Sequence, residues 1–237
     1  MFDDESRALI LKLADEFGVE PAALMAIIQV ESGGRFYAKI DGKREPLIRF
    51  EGHYFDRLLP ATAREKAVHL GLANSKAGKV ANPQRQADRW KLLNRAIEID
   101  RSAALSSCSW GVGQIMGAHW KWLGYGSVDA LVTQARSGLA GQIELMARYI
   151  EKAGLIKVLQ SRDWATFARN YNGPAYAKYG YDRKMAAAFE RHNRAVMHQK
   201  PPRSVKAAPP TGRQKEGKSR MRRSFRSRLL SIFKWFN

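Results

Sequence analysis

A change of composition near residue 200 constrains the fold of this chain more than any other feature of its sequence. Before it, apolar side chains recur at intervals of three and four among charged ones; from Pro201 the chain is rich in Pro, Lys, Arg, Gly and Ser, with almost nothing to bury until Phe225. A length of 237 residues suffices for one domain and an appendage. We therefore predict a folded domain over residues 1–198, a flexible linker over 199–219 and a separate terminal segment over 220–237.

The positive charge of the chain is concentrated in this tail. The whole chain has 41 Lys and Arg against 22 Asp and Glu, a formal charge of +19, and residues 201–237 hold eleven of the basic side chains with one acid, Glu216. The single cysteine, Cys108, cannot form an internal disulfide, and we expect it to be a small buried residue. The fold therefore does not depend on an oxidising compartment.

The spacing of apolar residues predicts a mainly helical domain. A first helix is expected over about 4–17, and a second opens at Pro21 and ends at or just after Glu31. Further helices are predicted at about 86–104, 128–136, 138–153, 163–170 and 182–198. Asp41-Gly42 and the β-prone stretch 47–50 predict a small β element near residues 35–50, the only strand segment that the pattern indicates.

Glu31 is the first candidate for chemistry because it ends an apolar helix. Burial against Ile27 and Ile28 disfavours its carboxylate, and the negative end of the helix dipole acts in the same direction, so both influences raise its pKa. A carboxylic acid that stays protonated near neutral pH can act as a general acid. The small turn Ser32-Gly33-Gly34 leaves room for a bulky substrate. Taken alone, a solvated helix-end glutamate is the simpler interpretation.

Two later segments carry polar groups suited to a sugar. Residues 110–117 combine three glycines with Gln114, whose amide can donate and accept hydrogen bonds, and glycine permits left-handed backbone or a close approach to a ligand. Residues 167–173 leave a predicted helix through Asn170-Tyr171-Asn172-Gly173, and aromatic faces bury the apolar side of a pyranose while polar tips bind its hydroxyls. Each segment alone is equally consistent with an ordinary structural turn.

Taken in order, Glu31-Ser32, Gly113-Gln114-Ile115 and Asn170-Tyr171-Asn172-Gly173 resemble the three motifs of the lysozyme-like superfamily, which includes lytic transglycosylases and goose-type lysozymes. A narrower resemblance covers about residues 5–197. The segments 29–34, 41–42, 48–53 and 110–117, together with the Asn-Tyr-Asn-Gly turn, are similar to the N-acetylmuramidase domain of bacteriophage endolysins.

This resemblance implies a mainly α, lysozyme-like α+β fold that hydrolyses the β-1,4 bond between N-acetylmuramic acid and N-acetylglucosamine in peptidoglycan. Glu31 would be the general acid. Gln114, Tyr171 and Asn172 match the substrate-holding positions of the superfamily, and we expect Ser32 and Glu51 to contribute to the same substrate site. We expect a monomer that needs no cofactor.

The sequence identifies the second carboxylate of a hydrolase less clearly than it identifies Glu31. Among the acids Asp41, Glu45, Glu51, Glu98 and Asp100 we favour Asp41, which lies in a flexible Asp-Gly loop ten residues after Glu31, whereas Glu51 can equally orient the site. The retaining and inverting routes differ in the separation of the two carboxyl groups, so the stereochemical course stays open. A lytic transglycosylase using the same Glu31 is the nearest alternative, because the muramyl 6-hydroxyl then attacks internally and no second carboxylate is needed.

Two other function classes are less consistent with the residues. His53 and His119 have no partner at metal-ligand spacing, so we predict no metal site. The charge of +19 would also suit a protein that binds nucleic acid or another polyanion without enzymatic activity, but no nucleic-acid-binding motif is present, and we expect no specific nucleic acid as a partner.

Residues 220–237 form an amphipathic pattern at helical spacing. Eight apolar residues occur among the last seventeen, and basic side chains crowd the first half of the segment. We therefore predict that this helix binds an anionic membrane or lipopolysaccharide through Arg222, Arg223, Phe225, Arg226, Arg228, Phe233 and Trp235.

The amino terminus predicts where the protein is made. Met1 to Arg7 is acidic and polar, where an export signal has a basic start and an apolar run, so we expect synthesis in the host cytoplasm without a signal peptide. The resemblance to endolysins implies that the enzyme reaches the cell wall after release through a holin-type pore.

Overall fold

The computed structural model of the chain describes residues 2–198. The predicted linker and amphipathic helix, over 199–219 and 220–237, lie outside the described residues. The helices are α1 (Asp4–Glu16), α2 (Pro21–Ser32), α3 (Gly52–Leu58), α4 (Ala61–His69), α5 (Gln86–Ile97), α6 (Arg101–Ser106), α7 (Val128–Arg136), α8 (Leu139–Lys152), α9 (Ile156–Gln160), α10 (Trp164–Asn172), α11 (Tyr176–Tyr179) and α12 (Tyr181–His198). The strands are β1 (Ala38–Ile40), β2 (Lys43–Glu45), β3 (Ile48–Phe50), β4 (Cys108–Trp110) and β5 (Ile115–Met116), and a 3-10 turn covers Gly117–His119.

Two apolar clusters form the interior. The first surrounds α2 and receives side chains from α1, α8, α10 and α12. The second is built on β3 and β4, with side chains from α3, α5, α6 and α7. Helix α8 belongs to both, since Met146 packs into the first cluster and Leu145 into the second, and Tyr171 contacts both. The functional groups described below lie where the two clusters meet.

Helix α2 is the central element of the first cluster, and its sequence explains why. Every residue from Ala22 to Ile28 is buried, so the helix is apolar on all sides, as expected of a helix enclosed by others. It packs against α1 and α12. Gly33 ends it in the left-handed conformation, with φ of 66°, which a residue without Cβ adopts at little cost. The fold thus carries Glu31, in the last turn, to the edge of the cluster.

The strands form two small antiparallel sheets. The hairpin β1–β2 turns through Asp41 and Gly42, both with positive φ, as an Asp-Gly hairpin turn requires. The other sheet has the order β3-β4-β5, with Phe50 opposite Cys108 and Trp110 opposite Ile115. This second sheet pairs the segment 48–50 with 108–110, where the glycine-rich segment begins.

The outer edge of β3 is paired by two side-chain amides instead of a strand. Asn82 accepts a hydrogen bond from the Phe50 N–H at 2.9 Å and donates one to the Phe50 carbonyl at 2.6 Å. Gln86 forms the same pair of bonds with Ile48, at 3.0 and 3.3 Å. The backbone groups of this edge are therefore satisfied without a further strand. Because Gln86 is the first residue of α5, its bonds also fix the start of α5 against β3.

The mainly helical fold is confirmed. The helices α1, α2, α7, α8, α10 and α12 begin and end within two residues of their predicted bounds, and β1 to β3 fall inside the predicted β element. The single helix predicted over 86–104 is wrong, because Asp100 accepts a hydrogen bond from the Ala103 N–H at 2.8 Å and starts a separate helix, α6. The prediction that strands occur only near residues 35–50 is also wrong, since β4 and β5 lie outside that range.

Two further findings concern the described part of the chain. Among residues 2–198, no helix combines the length and the apolar character required to cross a bilayer. Cys108 is fully buried in β4, as predicted, and burial raises the pKa of its thiol well above its usual range.

Candidate functional site

A cavity of about 260 Å³ lies at the C-terminal end of α2, where the two apolar clusters meet. The end of α2, the turn after it, the residue before β3, the first turn of α5 and the β4–β5 turn contribute its lining. Its lining residues are Glu31, Ser32, Gly33, Arg35, Leu47, Gln86, Arg89 and Gln114. The fold therefore brings Glu31 and Gln114, which are distant in the sequence, to one cavity.

The carboxyl group of Glu31 is adapted to hold a proton near neutral pH. The residue is half-buried, and burial raises its pKa from an ordinary value of 4.5 to about 7. The direction agrees with the expectation drawn from its place at the end of an apolar helix. A carboxyl group with such a pKa is protonated in a substantial fraction of molecules at pH 7.

Asn172, the last residue of α10, holds the Glu31 carboxyl group. Its Nδ2 donates to Glu31 Oε1 at 2.7 Å, a bond that favours the carboxylate and so lowers the pKa that burial raises. The buried Oδ1 of the same amide has no hydrogen-bond partner among the described residues. Asn172 therefore contacts the candidate acid with one atom and leaves a polar oxygen beside it unused.

Tyr171 joins this group to the glycine-rich turn. Its Oη donates to the Gly113 carbonyl at 2.7 Å, and its ring stacks on Phe167 with centroids 5.2 Å apart. Burial raises the pKa of the hydroxyl well above its usual range, so the group remains a donor at physiological pH. Tyr171 thereby fixes the position of the turn relative to α10.

The glycine-rich segment is the β4–β5 hairpin, held by contacts with α8 and α10. Gly111 and Gln114 have positive φ, and the Gln114 side chain donates to the Gly111 carbonyl at 2.8 Å, which closes the turn. From α8, the Gln142 side chain accepts the Val112 N–H at 3.0 Å. A Cβ on Gly113 would lie 2.7 Å from Met146 Cβ and 2.9 Å from Tyr171 Oη. The close approach expected at these glycines is thus to the protein itself.

Three other predicted site residues, Ser32, Glu51 and Asp41, either have a structural partner or lie outside the Glu31 cavity. Ser32 lines the cavity, but it is buried and its hydroxyl donates to the Ile28 carbonyl at 2.7 Å. Glu51 precedes α3 and forms an ion pair with Arg49 at 2.6 Å. Asp41 is exposed at the β1–β2 turn and lines a separate cavity of about 310 Å³, which it shares with Glu45.

The remaining candidate acids also have structural partners or lie away from Glu31. Glu45 is buried and receives two hydrogen bonds from the Arg136 guanidinium. Asp100 caps α6. Glu98 follows the end of α5, outside both cavities. Among residues 2–198, Glu31 is the only acid that lines its cavity.

Sequence reasoning did not find the three polar side chains Arg35, Gln86 and Arg89 of the Glu31 cavity. Gln86 and Arg89 lie on the first turn of α5, more than 50 residues after Glu31, and no motif connects the two segments. The periodicity of α5 places Gln86 and Arg89 on one face, but only the pairing of Gln86 with β3 identifies what that face meets.

A row of aromatic side chains extends from Tyr171. The ring of Tyr149 lies 5.3 Å from that of Tyr171, and Trp122 and His119 lie 5.4 Å from Tyr149, measured between centroids. Trp122 is 43% exposed, so the row runs from the interior to the surface. Faces of this kind suit the apolar sides of sugar rings.

The two histidines considered as metal ligands belong to other environments. His53 lies 3.6 Å from Glu51 and packs edge-on against Tyr54. His119 lies in the aromatic row, and burial lowers its pKa. Among the described residues, no group of three His, Cys, Asp or Glu side chains is arranged to hold a metal ion.

Removing the Asn172 amide is expected to raise the pKa of Glu31 further. In Asn172→Ala the carboxylate loses the hydrogen bond that stabilises it, while the burial that favours the neutral acid remains. The measurement is a carbon-detected NMR titration of the Glu31 carboxyl group. Asn170→Ala is the matched control, because the exposed Asn170 amide donates only to the Thr166 carbonyl of its own helix. Equal midpoints in the two variants would contradict the expectation.

Comparison with known proteins agrees with this geometry. The family model for N-acetylmuramidase matches residues 20–193. The chain is also similar to the crystal structure of Burkholderia AP3 phage endolysin, with 37% sequence identity, coverage of 82% of this chain and 74% of that chain, and a TM-score of 0.68. A comparison with curated protein sequences gives no match. The family model begins one residue before α2 and ends within α12, so it spans every residue of the Glu31 cavity.

Proposed function

The chain belongs to the N-acetylmuramidase family, and from this premise we propose that it is a peptidoglycan hydrolase that cleaves the β-1,4 bond between N-acetylmuramic acid and N-acetylglucosamine, with Glu31 as general acid. The observation that carries the proposal is the Glu31 carboxyl group, which lines a cavity and has a pKa of about 7. An acid with this pKa keeps its proton until it meets the substrate near neutral pH and is still acidic enough to give it up.

In the proposed step, Glu31 protonates the glycosidic oxygen as the bond to the muramyl carbon breaks. Positive charge then develops on the sugar until the oxygen of a water molecule bonds to that carbon and the water releases one proton to a base. The new Glu31 carboxylate is stabilised by the Asn172 Nδ2 donor. The unused Asn172 Oδ1 and the Gln114 amide would hold hydroxyl or acetamido groups of the substrate. Tyr171 would act through the Gly113 carbonyl by keeping the turn in place.

Asp41 remains our proposal for the second carboxylate of a hydrolytic mechanism, and Ser32 and Glu51 remain proposed members of the substrate site. Ser32 supports the turn after Glu31, and Glu51 neutralises Arg49. Their surroundings support positioning roles more than direct contacts with the sugar.

One observation favours a second candidate function, that of a lytic transglycosylase. Glu31 is the only acid among the described residues that line its cavity, and Asp41 lines another one. Transglycosylation needs no second carboxylate, because the 6-hydroxyl of the muramyl residue attacks its own anomeric carbon. Both reactions use Glu31 in the same way, so the products distinguish them.

The experiment is mass spectrometry of the fragments that the protein releases from purified peptidoglycan, with and without borohydride reduction. Hydrolysis yields muramic ends that borohydride reduces, which is the expected result. Anhydromuramic ends, lighter by one water and resistant to reduction, would establish the transglycosylase instead. Release of fragments without any cleaved glycosidic bond would overturn both.

We further propose that residues 220–237 bind an anionic membrane or lipopolysaccharide surface, on the strength of their basic and aromatic amphipathic pattern. Nucleic acid is not needed to account for the charge. We also propose synthesis in the host cytoplasm and access to the wall through a holin-type pore, as for phage endolysins in general.

Deleting residues 201–237 tests the role of the tail. Cleavage of purified peptidoglycan is expected to be unchanged, whereas lysis of intact Gram-negative cells from outside should fall at least about tenfold, because each basic residue near an anionic surface contributes about 1 kcal/mol. Turbidity assays on both substrates give the comparison, with purified wall as the internal control. Equal lysis of intact cells by the two forms would contradict the proposal.

A further inference from the structure

The charge lining the Glu31 cavity is unbalanced. Two arginines, Arg35 and Arg89, line it together with a single acid, Glu31. With two guanidinium groups and one acid, the cavity carries a net positive charge whether Glu31 is protonated or ionised. Two guanidinium groups in one cavity favour an anionic ligand, because they bind a carboxylate more strongly than a neutral acceptor.

Five arginines elsewhere among residues 2–198 form ion pairs with acids, whereas others, such as Arg44 in β2, do not. Arg49 pairs with Glu51, Arg101 with Asp129, and Arg162 with Glu20. Arg35 and Arg89 form no ion pair with any described residue. The distinctive feature of Arg35 and Arg89 is therefore that two arginines without an acidic partner among the described residues line the same cavity.

Arg89 is held in place by neutral groups. Its Nε donates to the Pro83 carbonyl at 2.7 Å and its guanidinium donates to the Ile48 carbonyl at 3.0 Å, so the side chain is fixed while its charge is not compensated. Burial, and then the charges of Arg49 and Arg35, lower its pKa. Arg35 is exposed and its side chain makes no hydrogen bond to the rest of the described chain. One cation is thus rigid and the other can adjust to a ligand.

We propose that Arg35 and Arg89 form a subsite for a carboxylate group of the peptidoglycan strand, next to the bond that Glu31 cleaves; this inference rests on the proposed function. A planar guanidinium binds a carboxylate through two parallel hydrogen bonds, which fixes the orientation of the group as well as its position. Peptidoglycan offers such a group in two forms. It is the lactyl carboxylate of a muramic acid without a peptide, or a carboxylate of the stem peptide.

The test compares cleavage of four soluble substrates made from one batch of glycan strands. One carries stem peptides, one is stripped of them by an amidase and so bears free lactyl carboxylates, and the other two are the same strands with all carboxylates converted to methylamides. The kcat/KM values of wild type, Arg35→Gln and Arg191→Gln are measured on each. Arg191 is exposed on α12 and outside the cavity, so its substitution removes the same charge from a remote surface.

Wild type and Arg191→Gln are expected to cleave the carboxylate-bearing strands about tenfold faster than the methylamides, and Arg35→Gln is expected to lose most of this preference, so that its rates on the two kinds of strand become nearly equal. A preference confined to peptide-bearing strands identifies the stem peptide as the source of the carboxylate, and one that persists on stripped strands identifies the lactyl group. Both support the subsite.

Equal cleavage of free and amidated strands by wild type would overturn the inference, and so would an equal loss on both in Arg35→Gln. If wild type cleaved none of the four substrates, the proposed function itself would fail, and the inference with it. Arg35→Gln is the chosen variant because the Arg35 side chain makes no hydrogen bond that folding needs. Arg89→Gln would also remove the contacts to Pro83 and Ile48.

Discussion

Glu31→Gln is expected to reduce peptidoglycan cleavage by at least about a thousandfold, within the range that general acids contribute. Gln has the shape of Glu and still offers an oxygen to the Asn172 amide, so the cavity keeps its form while the transferable proton is lost. The measurement is the initial rate of fragment release from purified wall. Glu65→Gln, at an exposed position of α4 outside the cavity, should retain the wild-type rate. A Glu31→Gln variant with near wild-type activity would overturn the assignment of the general acid.

The same substitution is expected to stabilise the folded protein at alkaline pH. The pKa of Glu31 is raised from 4.5 to about 7, so between these values the folded state binds more protons than the unfolded state. Stability therefore falls as pH rises through this range, and the loss is complete above pH 7. The Gln variant carries no such cost, and its free energy of unfolding at pH 8 should exceed that of wild type by roughly 3 kcal/mol, with little difference at pH 4.

Urea unfolding at the two pH values checks this second effect. Glu65→Gln again serves as the control, because its exposed carboxyl group should give no pH-dependent difference from wild type. If Glu31→Gln and wild type differed by the same amount at pH 4 and pH 8, burial of the carboxyl group would not be the source of its properties. Loss of activity with a gain in stability at pH 8 is the combination expected of a functional group held in an unfavourable environment.

Gly117→Ala is expected to destabilise the fold by about 3 kcal/mol or more. A Cβ at this position would lie 2.2 Å from the Leu105 carbonyl oxygen, a backbone atom that cannot move without displacing α6. The glycine-rich hairpin would shift with it, so activity should fall together with stability. Denaturant midpoints and wall cleavage of the same preparation are the measurements.

Gly126→Ala is the matched control for this substitution. No heavy atom lies within 4 Å of the position that its Cβ would take, and neither glycine has a positive φ. The alanine at 126 should be neutral, or stabilising by about 0.5 kcal/mol through the lower entropy of the unfolded chain. Equal effects of the two substitutions would show that the contact with Leu105 is not what requires glycine at 117.

Helices with a strong apolar period could be predicted from the sequence, whereas buried strands could not. The apolar face of α7 and its N-terminal Ser127, which accepts the Ala130 N–H, determine both ends of that helix. By contrast, all three residues of β4 are buried, so the strand shows no alternation of apolar and polar side chains. The helices α3, α9 and α11 have seven, five and four residues, too few to display a period.

The residues of the candidate site likewise divide into those that the sequence predicted and those that it did not. Resemblance to the endolysin muramidases, which the family and structural matches confirm, identified Glu31, Gln114, Tyr171 and Asn172, and the fold brings them together. Sequence reasoning did not identify Arg35 and Arg89 as site residues, because neither stands in a motif. Their proposed role depends on which acidic side chains lie near them in the folded protein. The sequence around each arginine does not show this.

The closed edge of β3 has a consequence for the protein in concentrated solution. An open strand edge is a template on which a neighbouring molecule can add a strand, which leads to self-association. Here the edge is occupied by the amides of Asn82 and Gln86, which come 32 and 38 residues later in the same chain, so this edge offers no free backbone groups at Ile48 and Phe50 to a strand from another copy. Because Gln86 also lines the Glu31 cavity, one side chain both closes this strand edge and contributes to the candidate site.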